Sequence, residues 1–157
     1  MNLNSNPMKK ILFSLFFLGL CISIFAQQEV APKPVAPYSQ SVMTGTGLLF
    51  VSGQIPMNPE TGNLVGGDIK EATKQAMKNI DTILKRNDMD FSNVVKCTVF
   101  LTDIRDYGAM NEVYRTFFKD GFPAREAIEV SNLPVGARIE ISAIATADVK
   151  SRFTGKD

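Results

Sequence analysis

Residues 121–146 read GFPAREAIEVSNLPVGARIEISAIAT, and the fold class turns on how this stretch alternates. Residues 127–130 and 138–146 are two β-rich runs, and the link between them carries the turn formers Asn132, Pro134 and Gly136. The pattern predicts adjacent strands joined as a hairpin or by a short crossover. In the second run the period of two places Ile139, Ile141, Ala143 and Ala145 on one face and Glu140, Ser142 and Ile144 on the other. Glu140 therefore points away from the most apolar side. Pro123 fixes the backbone just ahead of Arg125, so the guanidinium leaves from a stiffened strand start. A planar fork held there suits two-pronged recognition of a carboxylate. Taken singly, an arginine at a strand start and a glutamate on a strand are both ordinary surface residues.

The neighbouring blocks change that reading. FPAR leads into an I-E-V strand, then LPVG into IEISAIA, and upstream stand APYSQ (36–40), LFVSGQIPMNPETG (49–62) and VVKCTVFLTD (94–103). In this order the blocks resemble the RidA/YjgF family of enamine and imine deaminases, over residues 36–147. The resemblance implies a chorismate-mutase-like α+β fold assembled as a homotrimer with pockets between subunits. It implies hydrolysis of 2-aminoacrylate or 2-iminopropionate type acids to 2-keto acids and ammonia, without a metal or cofactor. Arg125 and Glu140 fall at the catalytic positions. Gly53 falls at a substrate-contacting glycine, Tyr38 at a tyrosine flanking the pocket, Asn111 at an N-x-x-Y helix position near it, and Ala127 where a backbone N–H can fix the substrate. Two positions depart from the pattern: Glu126 stands where the family usually has Ser or Thr, and Ser142 where it usually has a second Glu.

Ahead of this region, Lys9 and Lys10 precede an apolar run over residues 11–25 that ends at Ala26, the layout of a signal peptide with cleavage after residue 26. The run is too short to favour spanning a bilayer. Translation from Met8 would keep all of it, and Cys21 offers a weak lipoprotein alternative. Export to the periplasm or the medium is the expectation. Removing 26 residues from 157 leaves 131, enough for one domain with a real core. Because Lys9 and Lys10 are the leader's only charges, 15 basic residues face 16 acidic ones in the remainder. That balance, with no basic tract, gives no footing for nucleic acid. Cys97 is then the one thiol left, on an apolar strand face, so it reads as core and not as a reactive group.

Residues 27–37 form a Pro-rich extended approach to a domain over 38–149, and 150–157 a tail. Tyr38 is either an anchoring aromatic or a ligand-facing one. Residues 48–51 form a short strand running into Ser52-Gly53-Gln54, where a glycine lets backbone approach a ligand or turns the chain. Residues 56–67 are a loop. Ile69, Ala72, Ala76, Ile80 and Ile83 mark a helix over 68–86 capped by Asp68 with Glu71. The strand at 94–101 presents Val95, Cys97, Val99 and Leu101 to the core. A second helix, capped by Asp103 or Asp106, buries Tyr107, Met110, Val113 and Phe117, with Asn111 beside that stripe. The order β, β, α, β, α, β, β predicts two helices on one face of a mixed sheet.

The chain has no His, which excludes a His-based triad, and with one core thiol it excludes Cys/His zinc clusters. Arg125 is left to grip a carboxylate and Glu140 to activate water and return a proton to the leaving nitrogen. Two other classes remain in view: a trimeric binder of small carboxylates, which needs Arg125 and not Glu140, and an endoribonuclease, an activity also attached to the family.

Overall fold

In the computed structural model the chain is described at Pro34 and over residues 36–148. The expected signal peptide, most of the extended approach and the tail at 150–157 lie outside the described residues. Seven elements follow in order: β1 (Ser41–Met43), β2 (Leu48–Gln54), α1 (Ile69–Lys85), β3 (Val94–Leu101), α2 (Tyr107–Tyr114), β4 (Ala124–Glu129) and β5 (Ile139–Thr146). The strands make one five-stranded sheet in the order β1-β2-β5-β3-β4, parallel only between β3 and β4. Both helices pack against it and against each other. This is the expected mixed α+β layer.

α1 forms where its apolar spacing predicts it. Asp68 accepts from the N–H groups of Lys70 and Glu71 at 2.9 and 3.0 Å, satisfying two of the free donors at the helix start. Ile69, Ala72, Ala76, Ile80 and Ile83 are all buried, and Met77 and Leu84 join them. Their counterparts on the sheet are Leu49, Val51, Cys97, Val99 and the inward residues of β5. Full burial of each such aliphatic side chain contributes about 1.5–3 kcal/mol before the loss of chain entropy is counted.

Three expectations are corrected. First, β4 and β5 are not adjacent, because β3 lies between them. The link is the short crossover: Val130 N–H donates to the Leu101 carbonyl at 2.8 Å, and Thr102 N–H donates to the Arg138 carbonyl at 3.1 Å, so the end of β3 is bonded to both sides. The crossover turns through Val135 and Gly136, both at positive φ. β5 is bonded to β2 on one side and β3 on the other, whereas Glu126 and Glu129 give β4 the charge that suits an edge. β4 also starts at Ala124, earlier than the periodicity indicates. Second, a bulge between Val94 and Lys96 lets Val94 take the buried place expected for Val95. Third, α2 buries Met110 and Tyr114, whereas Tyr107 is 42% exposed.

Candidate active site

Strand registry decides where the two central residues go. Arg125 is the partner of Cys97 on β3, whose side chain is in the core on the helix side. Glu140 is the partner of Phe100, three residues further along β3 and on the other face. Arg125 and Glu140 therefore project from opposite faces of the sheet, two strand spacings (about 10 Å) across it and three residues (about 10 Å) along it. A single chain gathers the predicted residues into two clusters.

The first cluster surrounds Arg125. Its guanidinium lies 4.6 Å from the centre of the Tyr114 ring and 5.5 Å from that of Tyr107, a cation–π cradle that fixes the plane of the fork. Nη2 donates to the Tyr107 hydroxyl at 3.0 Å. Tyr107, Asn111 and Tyr114 are spaced four and three apart on α2, so they share one helical face. A hydrogen bond from Asn111, and then the Arg125 charge, hold the Tyr107 hydroxyl below its usual pKa. Asn111, Tyr114, Arg115, Phe122, Pro123 and Arg125 line a cleft of about 380 Å³. Arg125 has no ion pair among the described residues. Beneath it the Cys97 thiol is fully buried, and burial pushes its pKa up to about 11. It stays protonated at neutral pH, in keeping with a core residue. Burial also raises the Tyr114 hydroxyl well above its usual range.

Ala127 belongs to this side through its backbone. In a parallel ladder alternate residues turn their amides toward the neighbouring strand. Val130 N–H points to β3, which leaves the Ala127 N–H directed at the free edge of β4.

The second cluster surrounds Glu140. The β2 register jumps between Val51 and Gln54, so that Ser52 and Gly53 together oppose Ser142. The Gln54 side chain donates back to the carbonyls of Ser52 and Gly53 at 3.0 and 3.3 Å and braces the bulge. The Glu140 carboxylate lies directly over Gly53, where a Cβ would come within 1.8 Å of Oε1. It has no hydrogen-bond or ion-pair partner among the described residues, and its desolvation raises its pKa. Tyr38, 45% exposed, comes in beside the bulge: the Ser52 hydroxyl donates to the Ser39 carbonyl at 2.7 Å, and Ser52 N–H to that of Gln40 at 3.0 Å.

Glu126 does not compete for Arg125. On the opposite face, it is bound by Lys96 at 3.1 Å and by the Thr98 hydroxyl at 3.0 Å, and these hold its carboxyl below the usual range. Sequence reasoning missed the aromatic cradle, having assigned Tyr107 to the core. Its 4-and-3 spacing with Asn111 and Tyr114 is the signal that could have found it. Among the described residues no group of three or more His, Cys, Asp or Glu is arranged to hold a metal ion.

Among the described residues this is a small α+β protein, a helix-backed sheet with the Arg125 guanidinium, lacking an acidic partner, on one face and the desolvated Glu140 carboxylate, lacking a basic one, on the other. The family model described as Endoribonuclease L-PSP matches residues 28–147, and the chain belongs to this family, RidA/YjgF. The human 2-iminobutanoate/2-iminopropanoate deaminase is 50% identical over 115 residues, covering 73% of this chain and 83% of that one. A RutC family protein of Pyrococcus abyssi is 51% identical over 117 residues, covering 74% and 91%. Among solved structures, E. coli TdcF with bound serine superposes with a TM-score of 0.71 at 35% identity, covering 75% of this chain and 94% of that chain. RidA from an Antarctic Psychrobacter gives a TM-score of 0.71 at 37% identity, covering 74% and 93%.

Proposed function

We propose that this protein hydrolyses 2-imino acids to 2-keto acids and ammonia in sites shared between copies of the chain. The observation that carries the reading is a complementary pair of groups without a counter-charge among the described residues: the Arg125 fork, held by the tyrosines but without an acid, and the Glu140 carboxylate, desolvated but without a base. Relatives at about half identity named 2-iminobutanoate/2-iminopropanoate deaminase support it. Since the two groups stand on opposite faces of one sheet, they meet on one substrate only if different copies supply them. The open face also exposes Val42 (55%), Phe50 (44%) and Ile128 (48%), apolar area that a second copy would cover. A homotrimer is the assembly we favour.

In such a site Arg125 holds the substrate carboxylate and the free Ala127 N–H adds a donor. Glu140 takes a proton from water as its oxygen adds to the protonated imine carbon and returns that proton to nitrogen; as the C–N bond breaks and C=O forms, the carbinolamine hydroxyl proton passes through Glu140 to the departing ammonia. The balance is R–C(=NH2+)–COO− + H2O → R–CO–COO− + NH4+. A raised carboxyl pKa suits a group that must both take and give the proton. No metal enters this scheme, and turnover is expected to persist in a chelator. The test is ammonia and keto-acid release when an amino-acid oxidase generates imines beside the purified protein. Release no faster than in the oxidase alone would overturn the proposal.

Export is proposed as well, on Lys9-Lys10, the apolar run and Ala26. Mass spectrometry of the native N-terminus should find Gln27. A chain beginning at Met1 or Met8 would exclude cleavage, and a lipid on Cys21 would replace secretion by anchoring.

A further inference from the structure

The cleft lined by Arg125 has a second arginine among its lining residues. Arg115, on the 3-10 turn that closes α2, lines the same space of about 380 Å³ together with Asn111, Tyr114 and Phe122. None of the described lining residues is acidic. The carboxylate nearest in sequence on that helix, Glu112, pairs with Lys70 at 2.5 Å, and after Lys70 the Arg115 charge also helps to lower its pKa. Neither arginine has an ion pair among the described residues.

Two cationic residues lining a cleft with no acid among its lining residues favour a ligand with a carboxylate at each end. Phe122, 59% exposed, supplies apolar wall for intervening methylenes. We infer that the site selects 2-imino acids whose side chain carries a second carboxylate, with Arg125 on the carboxylate beside the imine carbon and Arg115 on the distal one. This rests on the reading of Arg125 as the carboxylate grip. Arg115 is the specificity-determining residue, and it acts on the substrate side chain and not on the reacting carbon.

The experiment has two arms, run on the full-length protein and on Arg115→Ala and Arg115→Glu. In the binding arm, calorimetry compares 2-ketoglutarate and oxaloacetate with 2-ketobutyrate. The dicarboxylates should bind the wild type about three- to tenfold tighter, the range expected of one exposed charge-assisted contact. The preference should shrink in high salt, approach unity in Arg115→Ala and reverse in Arg115→Glu. Equal affinity in the wild type, or a preference that survives both substitutions, would overturn the inference. In the turnover arm, an oxidase supplies imines of acidic and of neutral amino acids, and kcat/KM for the acidic imine should carry the same ratio. If no imine is hydrolysed, the deaminase reading fails while the binding arm still decides the role of Arg115.

Discussion

A Cβ at position 53 would lie 1.8 Å from Glu140 Oε1, 2.6 Å from Cδ and 2.9 Å from Cγ, so Gly53 and the Glu140 side chain occupy one close-fitted space. The glycine is not required by its backbone, since it is not among the residues at positive φ. It is required because the bulge carries β2 under the carboxylate and any side chain there would strike it. The bulge, the glycine and the carboxylate form one device for keeping Glu140 in place and partly dry.

Gly53→Ala should therefore fold and fail. The colliding atoms belong to the end of a flexible side chain, so Glu140 can swing aside with little loss of stability, yet displacing a catalytic group by about 1 Å can cost on the order of a hundredfold in rate. Thermal unfolding close to wild type with kcat down by about that factor is the expected outcome. Gly66→Ala serves as control, because nothing lies within 4 Å of a Cβ there. Normal turnover by Gly53→Ala would separate Gly53 from the chemistry.

How much of this was legible in the sequence follows from how local each signal is. α1 was readable to within a residue because a 3.6-residue period, an Asp cap and unbroken burial all agree. The faces of β5 were readable for the same reason. The insertion of β3 between β4 and β5 was not, because chain neighbours with a Pro-Gly link look like a hairpin and the pairing partner is decided by distant residues. A bulge defeats a period-of-two count by moving one residue, as at Val95. Tyr107 was misplaced because an aromatic at helical spacing is most often buried. Only the position of Arg125 across the sheet turns it into a cradle. The separation of Arg125 from Glu140 is likewise a fact of registry and has no signature in either residue's neighbourhood.

Arg125→Lys should recover little of what Arg125→Ala loses. An ammonium is a point charge that cannot bind a carboxylate with two parallel donors, and it lacks the planar fork that reaches both the Tyr114 ring and the Tyr107 hydroxyl. A charged hydrogen bond is worth about 1.5–3 kcal/mol, so kcat/KM should fall roughly tenfold to a hundredfold or more in the Lys variant. Steady-state kinetics on in situ imines decides it, and near-wild-type turnover by Arg125→Lys would count against the two-pronged grip.

Glu140→Gln keeps the size of the side chain and one acceptor oxygen but removes the base. Binding of a 2-keto acid should stay near the wild-type value while single-turnover hydrolysis falls by about 10² to 10⁴. Ser142→Ala, on the same face but with no base to activate the hydroxyl, should be nearly silent. If the serine variant loses activity and the glutamine variant retains it, the roles assigned to this face are wrong.

The same Glu140 variant tests the environment of the carboxylate through pH. Desolvation raises its pKa in the folded state above the ordinary 4.5, so above that pH the folded protein binds more protons at this site than the unfolded chain. Stability then declines as pH rises through that interval. Glu140→Gln, which has no charge to desolvate, should match the wild type at pH values below about 4 and be the more stable protein at neutral pH. Denaturant midpoints measured at both ends of the range give the comparison. A glutamine variant less stable at pH 7 would mean that the carboxylate has a partner which raises its worth in the folded state.

Mixing subunits asks the question that the opposed faces of the sheet pose. Arg125→Ala and Glu140→Gln chains should each be inactive alone, since every site in either assembly lacks one group. If each site takes Arg125 from one copy and Glu140 from another, unfolding and refolding the two variants together in equal amounts creates sites with both groups intact. With random assembly about a quarter of all sites are of that kind. Activity should therefore reappear at about a quarter of the wild-type level, and mixing without subunit exchange should give none. If both groups came from a single chain, no mixture could restore activity, because every chain carries one defect. A refolded mixture that assembles normally yet stays inactive would thus refute the shared site, and with it the reason for requiring an oligomer.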